Sequence, residues 1–214
     1  MKKTLLTICL VWMCFSLSAQ KIIDLSGKWS FSIDRQDNGE KEKWFSHTLN
    51  DFINLPGSMP EKLKGDEVTA KTQWTGSLYD SSYYYNPYME KYRKEGNIKF
   101  PFFLTPDKHY VGAAWYQKEV NIPADWKGER ILLFLERPHI ETTVWVNGQK
   151  TGMQNSLCVP HQYDITRYVR PGKCTITIRV DNRIKEINVG PDSHSITDQT
   201  QGNWNGIVAV SYTH

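Results

Sequence analysis

Hydrophobic and polar residues alternate along much of the chain, most cleanly where Cys174, Ile176, Ile178 and Val180 interleave with Thr175, Thr177, Arg179 and Asp181. A period of two sends one set to each face of an extended segment, so this run predicts a half-buried strand. Leu25, Gly27, Trp29, Phe31 and Ile33 alternate with Ser26, Lys28, Ser30 and Ser32, and predict a second strand of the same kind. Ile131, Leu132, Leu133, Phe134 and Leu135 are apolar at every position, the pattern of a central strand covered on both faces. Val144-Trp145-Val146 runs into Asn147-Gly148, a dipeptide that accepts the positive φ values of a tight hairpin, and the chain resumes at Gln149-Lys150. Pro171-Gly172 marks a turn before the strand at Cys174, and 207–212 offers one last strand. No segment gives three turns of capped amphipathic helix. The expected fold class is all-β, with two packed antiparallel sheets.

Residues 60–110 break this rhythm. Trp74, Tyr79, Tyr83–Tyr85, Tyr88, Tyr92, Phe100, Phe102 and Phe103 sit there among glycine, proline and charged residues, as a long aromatic-rich insertion. A loop of this length in a compact domain is functional or packed on its own side chains. The tyrosine run beside Lys91, Arg93 and Lys94 has the composition of a stacking platform for single-stranded nucleic acid. The overall charge gives no basic field to support that, so aromatics packing the insertion onto the sandwich are the expectation.

The first 19 residues read as a signal peptide: Lys2 and Lys3 precede an apolar run, Leu5 to Leu17, that ends in Ser18-Ala19. The run is too short to span a bilayer comfortably, and nothing later approaches about 18 apolar residues in a row. The expected product is an exported domain of residues 20–214, periplasmic or extracellular, with no membrane partner. The formal charge of +3 loses two units with Lys2 and Lys3, leaving no general attraction to nucleic acid or anionic lipid. Cys158 and Cys174 remain, and export makes a disulfide chemically possible, but spacing alone does not bring their sulfurs together.

Site chemistry is sparse. His139 and Glu141, two apart, could share a strand face, with His161 and His194 elsewhere, but none falls in a metal-ligand spacing, and no metal is expected. No serine lies in a nucleophile elbow, no glycine-rich loop cradles a phosphate, and neither later cysteine has an activating motif, so no cofactor is expected.

Seven blocks nevertheless stand in a distinctive order: DLSGKWSF at 24–31, INLPGS at 53–58, AAWYQKEVNIP at 113–123, ETTVWVNGQKTG at 141–152, YDIT at 163–166, ITIRVDN at 176–182 and GNWNGIV at 202–208. Together they resemble the N-terminal sugar-binding-like domain of family 2 glycoside hydrolases, of the β-galactosidase or β-glucuronidase kind. The resemblance implies a galactose-binding-like jelly roll. In the family it is followed by an immunoglobulin-like domain and a (β/α)₈ barrel carrying two catalytic glutamates. Retaining hydrolysis needs that carboxylate pair, and the family's acid/base glutamate follows an asparagine. This chain has no Asn-Glu dipeptide, and it stops at Thr213-His214 with no linker. The expectation is therefore a non-catalytic fragment without the later domains, its partners a β-linked carbohydrate and the barrel of the same or a related polypeptide. The resemblance also points to 180–208, which in relatives runs along the barrel face. Asp198, Asn203 and Trp204 are the candidate substrate-binding residues, with Asp192 and His194 behind them. A carboxylate or amide pairs with adjacent hydroxyls, and an indole lies against a pyranose face. Against this stands an ordered connector whose Trp204 fills a domain interface, and at the level of the chain a free-standing carbohydrate-binding module or an adhesive sandwich.

Overall fold

A computed structural model describes residues 21–73, 81–99, 105–157, 159–185 and 202–213. Among the described residues there are thirteen strands: β1 (Ile22–Asp24), β2 (Gly27–Asp34), β3 (Asp51–Leu55), β4 (Gly57–Ser58), β5 (Asp66–Glu67), β6 (Lys108–His109), β7 (Ala113–Ile122), β8 (Leu132–Pro138), β9 (Glu141–Val146), β10 (Gln149–Asn155), β11 (His161–Asp164), β12 (Gly172–Asp181) and β13 (Gly206–Thr213). One sheet has the order β10-β9-β12-β7-β2-β3; the other runs β1-β13-β8-β11, with β4 also paired to β13. Every pairing is antiparallel. Trp29, Phe31, Tyr116, Ile176 and Ile178 from the first sheet meet Leu133, Leu135 and Ile207 from the second in one buried core. The molecule is thus the all-β sandwich of two antiparallel sheets that the alternation predicts, of the jelly-roll type that the resemblance implies.

Several strands depart from the simple pattern. On β12 the polar set is buried too: Thr177 is 1% exposed, Arg179 7% and Asp181 0%. The strand lies inside its sheet between β7 and β9, and 34–49 folds over the outer face, so both faces are covered where the sequence predicts one. On β8 the reverse holds. It is central, between β13 and β11, and Ile131, Leu133 and Leu135 are buried, yet Leu132 and Phe134 are only half-buried: among the described residues the second sheet's outer side is less closely covered.

The cover on the first sheet has its own small core. Trp115 from β7 and Trp145 from β9 stack with centroids 5.0 Å apart, Phe45 stacks on Trp145 at 5.2 Å, and Leu49 and Trp44 close the cluster. Phe45 and Trp44 come from a 3-10 turn, Trp44–Ser46. Asp34 fixes the start of this cover by accepting the N–H of Asn38 and Gly39 and the Trp115 indole, at 2.9, 2.8 and 3.0 Å.

The hairpin at Asn147-Gly148 forms as expected, with φ of 51° and 76°, and Gln149 lies opposite Val146. Asn147 adds a local reason: its carboxamide donates to Tyr168 O and accepts from Thr175 N–H. The insertion has a neck, where β5 pairs with β6 through Asp66 opposite His109 and Glu67 opposite Lys108. Within it lie a one-turn helix α1 (Ser82–Tyr85) and a 3-10 helix Pro87–Tyr92. Tyr83 is buried and donates its hydroxyl to Tyr92 O at 2.9 Å, whereas Tyr85 and Tyr88 face solvent. Trp74, Tyr79, Phe100, Phe102 and Phe103 lie outside the described residues, as does Cys158, while Cys174 is a buried free thiol, raised to about 11 by its burial.

Candidate functional site

β12 leaves its sheet at Asp181, and the chain returns into β13 at Gly206. Of the predicted site residues, Asp198, with Asp192 and His194, lies outside the described residues. Asn203 and Trp204 are placed. Asn203 is buried and its carboxamide nitrogen donates to Asn182 O at 2.9 Å. Trp204 is half-buried and stacks on His139, with centroids 4.6 Å apart and 22° between ring planes. His139 comes from the β8–β9 turn, held there by its N–H bond to Gly206 O at 3.2 Å.

Both Asn203 and Trp204 line a cleft of about 510 Å³, with Pro56, Gly57, Ser58 and Glu61 opposite. The wall at Gly57 depends on Gly206, whose φ is 155°. A β-carbon at 206 would sit 2.5 Å from Gly57 O, so only glycine lets β4 and β13 approach this closely. The cleft thus offers an indole face, a buried carboxamide at its base, and the Glu61 carboxylate, which ion-pairs with Lys62 at 2.7 Å. Burial pushes His139 down to about 4, opposed only in part by the Asn203 side chain, so at neutral pH the ring beside Trp204 is uncharged.

A second cleft, about 800 Å³, opens between the β5–β6 neck and Arg35, Tyr110 and Arg183. Its arginines are already spent on partners: Arg35 pairs with Asp66 at 2.5 Å, and Arg183 with Asp181 and Asp37, each at 2.6 Å. This is the rim of an ion cluster. Arg179 bonds Asp37, Asp181 and Glu141 at 2.6, 2.9 and 3.3 Å, and Lys185 reaches Asp181 at 2.7 Å. Burial alone would raise the Asp181 carboxyl, but hydrogen bonds from Arg183 and Lys185 overcome it and hold the group far below the usual carboxylate range.

Among the described residues, every carboxyl whose pKa departs from its ordinary value is lowered: Asp24, Asp37, Asp51, Glu61, Asp164 and Asp181. His139, His161 and Glu141, which fall in no metal-ligand spacing in the sequence, are separated into three jobs. His139 packs on Trp204, Glu141 joins the ion cluster, and His161 contacts Thr142 Oγ1 at 2.6 Å inside the sandwich.

Sequence reasoning missed Asn182, Asn205 and His139 as parts of this site. A signal existed for one of them, Asn205: Asn203-Trp204-Asn205 is itself a period-two pattern, polar side chains facing in and the tryptophan facing out.

A β-glucuronidase of Paenibacillus borealis is 27% identical over 164 residues, which is 76% of this chain and 21% of that protein. A β-galactosidase of Thermoanaerobacter pseudethanolicus is 26% identical over 102 residues, 47% of this chain and 14% of its own length. Among solved structures, the Ruminococcus gnavus β-glucuronidase superposes with a TM-score of 0.56 at 16% identity, covering 93% of this chain and 29% of that one, a likeness of fold. The chain therefore spans less than a third of these relatives. Residues 22–212 match the model of the glycosyl hydrolases family 2 sugar binding domain, and with the core and the seven sequence blocks inside that span, the chain belongs to this family.

Proposed function

We propose that this chain is the non-catalytic N-terminal domain of an exported family 2 glycoside hydrolase, and that it braces a catalytic barrel and completes one wall of its sugar pocket. The family match over residues 22–212 carries the reading. The substrate class is a β-linked glycoside, with a β-glucuronide favoured by the relatives named above. Trp204 supplies an apolar face for a pyranose ring, while Asp198 and Asn203 supply hydrogen bonds to its hydroxyls. Export rests on the charged and apolar pattern of residues 1–19. The barrel supplies the carboxylate pair, so the chain by itself turns over no aryl β-glucuronide or β-galactoside.

Fusing the chain to the immunoglobulin-like and barrel domains of a related enzyme tests the reading. Asp198→Ala removes charge-assisted bonds of about 2–4 kcal/mol, so kcat/KM falls roughly 30- to 1000-fold, and Asn203→Ala less. Trp204→Ala is measured for melting as well as kinetics, since lost packing alone lowers Tm at constant kcat/KM. Wild-type kcat/KM in all three folded variants would refute the pocket-wall role.

A second reading, a free-standing carbohydrate-binding module, draws on Tyr85 and Tyr88, which are 72% and 84% exposed on the insertion. Micromolar binding of an oligosaccharide that is lost in Tyr85→Ala and Tyr88→Ala would favour it; the pocket-wall reading expects monosaccharide binding no tighter than about 1 mM.

A further inference from the structure

Three buried asparagines join stretches of chain that are distant in sequence. Asn182, just past β12, accepts the Gly112 N–H at 2.8 Å and donates to Tyr110 O at 2.8 Å. Asn205, just before β13, donates to Gly112 O at 3.1 Å and to Val180 O at 3.0 Å, and accepts the Tyr116 hydroxyl at 2.7 Å. Asn203 donates to Asn182 O at 2.9 Å, which ties the two ends of the β12–β13 connection to each other. On the backbone, Met59 N–H bonds Asn205 O at 2.7 Å, so the strand start is also fixed to the far wall of the cleft.

A carboxamide is the side chain this job requires. Asn205 uses two donors and one acceptor at a single point, and Asn182 one of each; aspartate would offer acceptors alone, and an apolar residue would leave buried carbonyls unpaired. Trp204 stands between Asn203 and Asn205. Both neighbours are drawn inward, to 3% and 1% exposure, while the half-buried indole between them lines the cleft and stacks on His139.

We infer that Asn182, Asn203 and Asn205 form a clasp whose role is to position Trp204: Asn182 and Asn205 are positioning residues that set the angle of the indole face presented to a ligand in the cleft. The ligand class, a pyranose sugar, rests on the function proposed above; the geometric role of the clasp does not. A ring held at both flanking residues is already oriented when the sugar arrives, which spares the binding step the cost of ordering it.

Nuclear magnetic resonance of the chain with ¹⁵N-labelled tryptophan separates the two ideas, with the Trp204 indole N–H assigned from Trp204→Phe. Tyr116→Phe deletes only the hydroxyl that Asn205 accepts, and Asn205→Ser shortens the clasp itself. Both are expected to move or broaden the Trp204 signal by more than its linewidth while the Trp29 signal, whose indole bonds Leu25 O inside the core, stays in place. Glucuronate at millimolar concentration should shift Trp204 in the wild type and lose most of that effect in both variants. An unmoved Trp204 signal in the variants that fold overturns the clasp, and Tyr116→Phe decides alone if Asn205→Ser does not fold. A Trp204 signal that moves in the variants but ignores glucuronate and galactose in the wild type leaves the clasp standing and removes the sugar-wall reading.

Discussion

His139 and His161 show how far single residues can be read from sequence. Neither falls in a metal-ligand spacing in the sequence, which gives no sign of its surroundings, and folding encloses each in the protein. His161 is fully buried, in contact with Thr142 Oγ1, which also meets the Tyr163 hydroxyl at 2.7 Å. Which partner a histidine finds is a long-range fact: Thr142 is on β9 and Tyr163 on β11, in different sheets. The same holds for Asn203, whose bond to Asn182 crosses 21 residues. Burial lowers both histidines from 6.5 to about 4, so the folded protein binds fewer protons than the unfolded chain between those values. Stability is then full above about pH 6.5 and falls as the pH drops toward 4, by up to about 3 kcal/mol for each histidine. The lowered carboxyls act at more acidic pH and do not explain this window. Melting measured from pH 7.5 to 4 should decline, and His161→Asn should decline less steeply over the same range. Parallel curves for wild type and variant would show that His161 is not responsible.

At the scale of elements, the alternation along β12 correctly sends Cys174, Ile176, Ile178 and Val180 inward. It fails on the other face because the cover from 34–49 is supplied by a segment with no strong period of its own. What buries Arg179 is therefore invisible in the strand that carries it. The consequence is energetic. Arg179, 7% exposed, depends on Asp181, which is fully buried and also holds Arg183 and Lys185. Asp181→Ala leaves buried cationic charge without its central partner, and should cost about 3–5 kcal/mol of unfolding free energy in urea titration. Trp145→Ala opens the aromatic cluster beneath that cover and should cost a similar 3–5 kcal/mol. A loss under about 1 kcal/mol for Trp145→Ala would mean that Phe45 and Trp44 collapse into the space. The Asn147-Gly148 hairpin is the opposite case, legible in advance because its requirement, positive φ at two successive residues, is local.

For the molecule as a whole, the order of the sequence blocks is informative because each has a place in the sandwich: DLSGKWSF enters β2, AAWYQKEVNIP is β7, ETTVWVNGQKTG is the β9–β10 hairpin and ITIRVDN is β12. The insertion between them follows no such logic, and its period-free sequence concealed the two-residue ribbon at its base. That ribbon makes the insertion a cassette. The chain departs at Glu67 and re-enters at Lys108, directly across from one another, so topology asks nothing of the forty residues between except that they begin and end at adjacent points. Such a port admits exchange: a different loop could be grafted there, or a minimal Asn-Gly turn could join Glu67 to Lys108, without re-threading either sheet. What this sandwich touches can then be changed between Glu67 and Lys108 while the core that folds the domain stays the same.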